Sequence, residues 1–95
     1  MRVRFTAEAE RSLEQIGDYI AQDNPERALS FVRELRDKCL SLANMPYGFA
    51  LALGYEETGI RRRPHGDYLI FYRVDNDIVV IISVLHGTRN YTNLL

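Results

Sequence analysis

The chain is expected to form a single α+β domain spanning residues 1–95, with element order β-α-α-β-β-β and a helical hairpin packed on a small, mostly antiparallel sheet. Three observations predict this. The first half repeats apolar residues at helical spacing in two stretches. The second half holds three runs of apolar or basic residues separated by short turn sequences. A length of 95 residues, 46% of them hydrophobic, allows one core between two layers and excludes multidomain enzymes and folds with large cofactor clefts.

The elements follow in order. Val3 and Phe5 alternate with Arg2 and Arg4, the period of a short strand with one buried face. Thr6 stands at a helix N-cap, and Glu8 and Glu10 suit the positive end of the helix dipole. Ala9, Leu13, Ile16 and Ile20 then mark an amphipathic helix over about residues 7–22, with Tyr19 flanking the stripe. Asn24 can cap a second helix and Pro25 fits its first position. Ala28, Phe31, Val32, Leu35, Cys39 and Leu42 carry that helix over about residues 25–44. The short connection makes the pair an antiparallel hairpin.

Residues 45–58 read as loop, without clear periodicity. Ile60 to Arg63 is a short basic strand candidate. Pro64-His65-Gly66-Asp67 reads as a turn. Tyr68 to Val74, aromatic and β-branched, is the next strand, and Asp75-Asn76-Asp77 is a hairpin loop. Ile78 to Leu85 is almost wholly apolar, which predicts a central strand buried on both faces with the first strand beside it. Leu13, Ile16, Phe31, Leu35, Leu42, Phe71, Ile81 and Leu85 are the expected core. The tail from His86 is polar apart from Tyr91 and the last two leucines.

Net charge is −1, far from the strongly basic balance usual in nucleic-acid-binding domains, so sequence-specific DNA binding by this chain alone is not expected. The charge is uneven. Residues 1–60 carry 7 basic and 10 acidic side chains; residues 61–95 carry 5 and 3. All the basic residues except Lys38 are arginine, the side chain best suited to bidentate pairing with carboxylate or phosphate. The single Cys39 excludes an intrachain disulfide and suits a reducing, cytoplasmic setting. No apolar run approaches the ~20 residues of a membrane span, and the N-terminus lacks a secretory signal pattern.

Few residues could carry chemistry. Gly54 and Gly59 match no phosphate-binding loop, and neither His65 nor His86 has ligand spacing to a carboxylate or Cys39. No cofactor, no metal and no catalytic set is expected on this reading. Ser83 and His86 should point to opposite strand faces, so they cannot pair. Cys39 reads as a small core residue. His86 reads as a strand-end residue that could serve as acid or base, and Tyr91 as a proton donor, stacking ring or docking group. Arg61-Arg62-Arg63 is either a solvated edge strand or an anion-binding strip, with Arg73 and Arg89 in support. Arg61, Arg63, Arg73 and Arg89 are the expected contacts for an acidic partner.

Element order and several residue strings resemble the RelE/ParE superfamily of toxins from type II toxin–antitoxin modules. Phe5-Thr6-Ala7-Glu8-Ala9-Glu10 with Leu13, Ile16, Tyr19 and Ile20 is similar to its first helix, and Asn24-Pro25 with Ala28, Phe31 and Leu35 to its second. The Pro46 to Gly48 turn, Gly59-Ile60-Arg61, Tyr68 to Arg73, and Val84-Leu85-His86-Gly87-Thr88-Arg89 resemble its sheet region. The resemblance implies a toxin neutralised by a ParD-like antitoxin. Its RelE branch cleaves mRNA in the ribosome; its ParE branch is non-nucleolytic and poisons DNA gyrase. RelE-like members commonly carry an arginine in the aromatic strand three residues before its tyrosine. That position here is Leu69, and no lysine follows Lys38. The Tyr-Leu-Ile-Phe-Tyr-Arg and Val-Leu-His-Gly-Thr-Arg strings favour the ParE branch. The alternative is an RNase using Arg61, His86, Arg89 and Tyr91.

Overall fold

The computed structural model describes all residues, Met1–Leu95. Strand β1 (Arg2–Phe5) leads into helices α1 (Ala7–Ala21) and α2 (Pro25–Ser41). Strands β2 (Arg61–His65), β3 (Tyr68–Asp75) and β4 (Ile78–His86) follow, and the sheet order is β1-β4-β3-β2. β1 runs parallel to β4 and the other pairings are antiparallel. The two helices pack on one face of this mixed sheet, so the α+β architecture and the central place of the last strand are as anticipated. No helix is long and apolar enough to cross a membrane.

Both expected caps form. Thr6 Oγ1 accepts from Ala9 N–H at 3.0 Å and donates to the Ile82 carbonyl at 2.9 Å, so one hydroxyl starts α1 and ties it to β4. Asn24 Oδ1 accepts from Arg27 N–H at 3.0 Å, with Pro25 opening α2. The helices approach closely at Gly17, where an added Cβ would lie 3.2 Å from Val32 Cγ2. Leu13, Leu35, Cys39, Leu42, Ile70, Tyr72 and Ile81 meet in the resulting core and are almost fully excluded from solvent. Burial pushes the Cys39 thiol up to about 12 against nearby Arg36 and Arg63, which keeps it an uncharged core residue. The Ser12 and Ser83 hydroxyls, 3.1 Å apart, form a buried polar link between α1 and β4, which leaves Ser83 engaged away from His86.

Three expectations need correction. Helix α2 ends at Ser41 and continues only as a short 3-10 turn, Leu42–Asn44. β2 begins at Arg61 and includes Pro64 and His65, which the turn chemistry had suggested lay outside it. β2 is the sheet's edge, where a missing proline N–H costs no ladder bond, and the turn shrinks to Gly66-Asp67 with Gly66 at φ 58. Leu85 is half-exposed, because its side of the sheet is covered only in part. Of the tail's apolar residues, Tyr91 and Leu95 pack against a small cluster of Ala52, Ile60 and Phe71 on the face away from the helices.

β4 also carries one residue more than β3 needs. Phe71 pairs with Ser83 and Tyr72 with Ile81, so Ile82 is the extra residue of a bulge. The bulge lies where the Ile82 carbonyl receives Thr6, at the junction of α1 with the sheet.

Candidate functional site

The arginines divide between the two faces of the sheet. Alternation along β2 sends Arg61 and Arg63 to the helix side, toward the end of α2 and the 45–50 segment. Arg61 Nη1 donates to the Phe49 carbonyl at 2.7 Å, and its guanidinium lies 5.3 Å over the Tyr47 ring. Arg63 Nη1 donates to Ser41 Oγ at 2.8 Å and to the Lys38 carbonyl at 3.1 Å, and stacks 4.7 Å over Phe49. Next to them the buried Tyr72 hydroxyl donates to the Pro46 carbonyl at 2.8 Å. Burial raises the Tyr72 phenol's pKa, with Arg61 and Arg63 pulling it back, so it acts as a neutral donor. Arg61 and Arg63 are half-buried braces that close the end of α2 and fix the loop beyond it.

The other expected contacts lie elsewhere. Arg73 reaches Asp75 at only 4.0 Å. Arg89 is exposed in the turn after β4, where its N–H donates to the His86 carbonyl at 3.0 Å. His86 is exposed at the end of β4; its Nδ1 accepts from Thr88 N–H at 3.2 Å and lies 2.7 Å from Thr88 Oγ1. Its ring meets Tyr68 edge-on at 5.2 Å. Tyr91 stacks on Phe71 at 4.7 Å, and its carbonyl accepts from the Tyr55 hydroxyl at 3.3 Å.

Thus His86 and Arg89 share one shallow cleft of about 160 Å³, also lined by Tyr19 and Tyr68. Arg61 does not join them. It pairs with Tyr72, whereas His86 pairs with Tyr68 and so shares a rung with His65. Four residues of strand, roughly 13 Å, separate the two positions. Tyr91 sits on the opposite sheet face from Arg61.

Sequence reasoning missed two features. A second cleft of about 630 Å³ adjoins the first and shares Tyr19, Tyr68 and His86 with it, adding Arg27 and Phe31. Phe31 and Tyr68 had been read as core and strand residues, and only the meeting of α2 with the β2–β3 turn makes them cleft walls. A groove of about 680 Å³ also runs between α1 and α2, lined by Leu13, Ala21, Ala28, Leu29 and Val32 with Glu14 and Asp18 at its margin. Leu29, 71% exposed, is the one signal the sequence offered: an apolar residue off the core stripe of its helix.

The sequence pattern of the family described as the ParE toxin of the type II toxin–antitoxin system, parDE, matches residues 3–91. Y4kP of Sinorhizobium fredii (strain NBRC 101917 / NGR234), named as a candidate toxin, is 31% identical over 96 residues, covering 99% of this chain and 96% of its own. The chain shares its fold with a solved chromosomal ParDE system from P. aeruginosa, at a TM-score of 0.74 and 23% identity. It is also similar to a chain of the RelBE2 toxin–antitoxin complex from Mycobacterium tuberculosis, at a TM-score of 0.66 and 27% identity. Each likeness covers 90% of this chain and 95% of the other. The chain therefore belongs to the ParE toxin family of type II toxin–antitoxin systems, within the RelE/ParE superfamily.

Proposed function

We propose that this toxin acts as a non-nucleolytic, ParE-like inhibitor of DNA gyrase and is neutralised by a ParD-like antitoxin. The observation that carries the reading is the dispersal of the RNase candidates. RNA cleavage needs a base for the 2′-OH, a proton donor for the leaving oxygen and a cation for the phosphorane, all around one phosphate. Arg61 is spent on the Phe49 carbonyl and Tyr91 is on the other face, so of the four candidates only His86 and Arg89 share a cleft. Leu69, at the position of the RelE-like strand arginine, instead packs with Phe71.

The antitoxin's apolar anchors fit the groove between α1 and α2, and its carboxylates suit the exposed Arg89, whereas Arg73 lies on the sheet face away from that groove. Arg61 and Arg63 were expected to share that role, but both guanidinium groups already serve backbone carbonyls and aromatic rings. Purified toxin should block gyrase supercoiling and leave ribosome-bound mRNA intact. If it cut mRNA in programmed ribosomes, and His86→Ala or Arg89→Ala abolished the cutting, the RNase reading would replace this one.

A further inference from the structure

Arg2, Arg4, Arg62 and Arg73 stand together on the sheet face that the helices leave uncovered. Register fixes this placement. Val3 and Phe5 pack into the helix-side core, so Arg2 and Arg4 face the other way. Ile70 and Tyr72 do the same on β3, leaving Arg73 on the side of Phe71. Arg62 pairs in register with Phe71, two residues after Ile60 of the same far-side cluster.

These guanidinium groups are largely unsatisfied. Arg2, Arg4 and Arg62 pair with no carboxylate, and Arg73 reaches only Asp75, at 4.0 Å. By contrast Arg11, Arg27 and Arg36 on the helical layer each hold a glutamate. Arg4, Val80 and Arg73 form one rung across β1, β4 and β3. Val80 is only 1% exposed, which fits arginine stems lying over it with their charged ends free. From β1 to β2 the set spans roughly 14 Å at ~4.8 Å per strand. The carboxylates Glu8, Glu10, Glu14 and Asp18 lie on α1, in the opposite layer. On the arginines' own side Asp75 stands beside Arg73, and Glu56 and Glu57 lie in the segment between Ala52 and Ile60, so four arginines face one carboxylate of the sheet itself and present this face toward a polyanion.

We propose that this face binds the phosphate backbone of duplex DNA without reading its sequence. A peptide partner would need apolar anchors at the centre of its contact. The Arg4–Val80–Arg73 rung offers none; the half-exposed Ile82 further along β4 packs into the Phe71 cluster, and the half-exposed Leu69 and Leu85 pair with each other near the start of β3. A phosphate backbone needs only spaced cations, and duplex DNA supplies one charge per ~1.7 Å of axis. The inference rests on the gyrase reading only for where such a duplex is met: in the enzyme–DNA complex, with these arginines on the DNA.

Anisotropy of a labelled 20-base-pair duplex against the full chain, across 50–200 mM salt, tests it. Four phosphate contacts predict a slope of log K on log salt between about −3 and −4, a loss of about a hundred-fold over that range. Arg4→Gln with Arg62→Gln should cut the slope by about two, while Arg11→Gln with Arg33→Gln on the helices, the same charge change, should leave the slope intact. Thermal melts of both variants confirm that the fold survives. No salt-dependent binding, equal losses in the two variants, or binding of a glutamate-rich peptide in place of the duplex would overturn the proposal. Gyrase inhibition is read separately: its persistence without duplex binding sinks this inference alone, and its absence with duplex binding sinks only the gyrase reading.

Discussion

The two faces of the sheet are closed by different means. On one, two regular helices bring apolar residues in at fixed spacing and exclude water almost completely from Leu13, Leu35 and Ile81. On the other, an irregular segment around Ala52 and Ile60 and the tail around Tyr91 and Leu95 cover Phe71 but leave Leu69, Ile82 and Leu85 half-exposed. A periodic layer needs only its pattern to pack. An irregular one depends on individual hydrogen bonds, here the Tyr55 hydroxyl, which donates to the Tyr91 and Thr92 carbonyls and accepts from Leu95 N–H. Stability is concentrated on the first face and free charge on the second.

The largest expected effect separates the faces directly. Leu35→Ala, at a fully buried position under the hairpin, should cost roughly 2–5 kcal/mol in urea unfolding. Leu85→Ala removes the same atoms from a half-exposed site and should cost clearly less. Equal losses would mean that the tail side is as well packed in solution as the helix side.

A smaller effect tests the arginine division. Arg63→Ala removes the donor to Ser41 and the Lys38 carbonyl at the end of α2, and should cost about 1 kcal/mol. Arg4→Ala on the open face loses no ion pair and only the cover that its stem gives Val80, so it should cost clearly less. If the two variants unfold alike, Arg63 is not a brace and becomes available to the antitoxin.

The helical hairpin and the central strand were legible because periodicity and caps act locally: Thr6, Asn24, Pro25 and the apolar run from Ile78 carry their structural meaning in the sequence itself. Pro64 misled because its chemistry announces a turn, while its tolerance in β2 depends on the edge position that only the assembled sheet defines. The arginine triplet was visible, and so was its alternation. What it bonds was not, since Phe49, Ser41 and Lys38 reach it only after α2 and the following loop fold back. Tyr55 gave no signal at all, because its partners lie some 36 to 40 residues away in the tail.

Tyr55→Phe sharpens the contrast locally. It removes the donor to two tail carbonyls and should cost under about 1 kcal/mol globally. Its main expression should be faster amide exchange at Leu94 and Leu95 with α1 and α2 unchanged. Protection that stays the same would show that Tyr91 packing on Phe71 holds the tail without the hydroxyl.

The smallest effect lies at the margin of the helical layer, at Glu34 of α2. Its carboxyl accepts from Arg27 Nη1 at 2.5 Å and lies 3.4 Å from His65 Nε2, bridging α2 to the edge strand. The Arg27 hydrogen bond, more than any other influence, holds its pKa below the ordinary 4.5. A carboxyl lowered in the folded state favours folding above its unfolded value, and that contribution fades as pH falls through the folded one. Wild type should therefore exceed Glu34→Gln slightly at neutral pH, and the difference should vanish on acidification below 4.5. The group is exposed, so 1 M salt should also erase the difference at neutral pH. A gap that survives both acid and salt would mean that Glu34 acts through packing and not through charge.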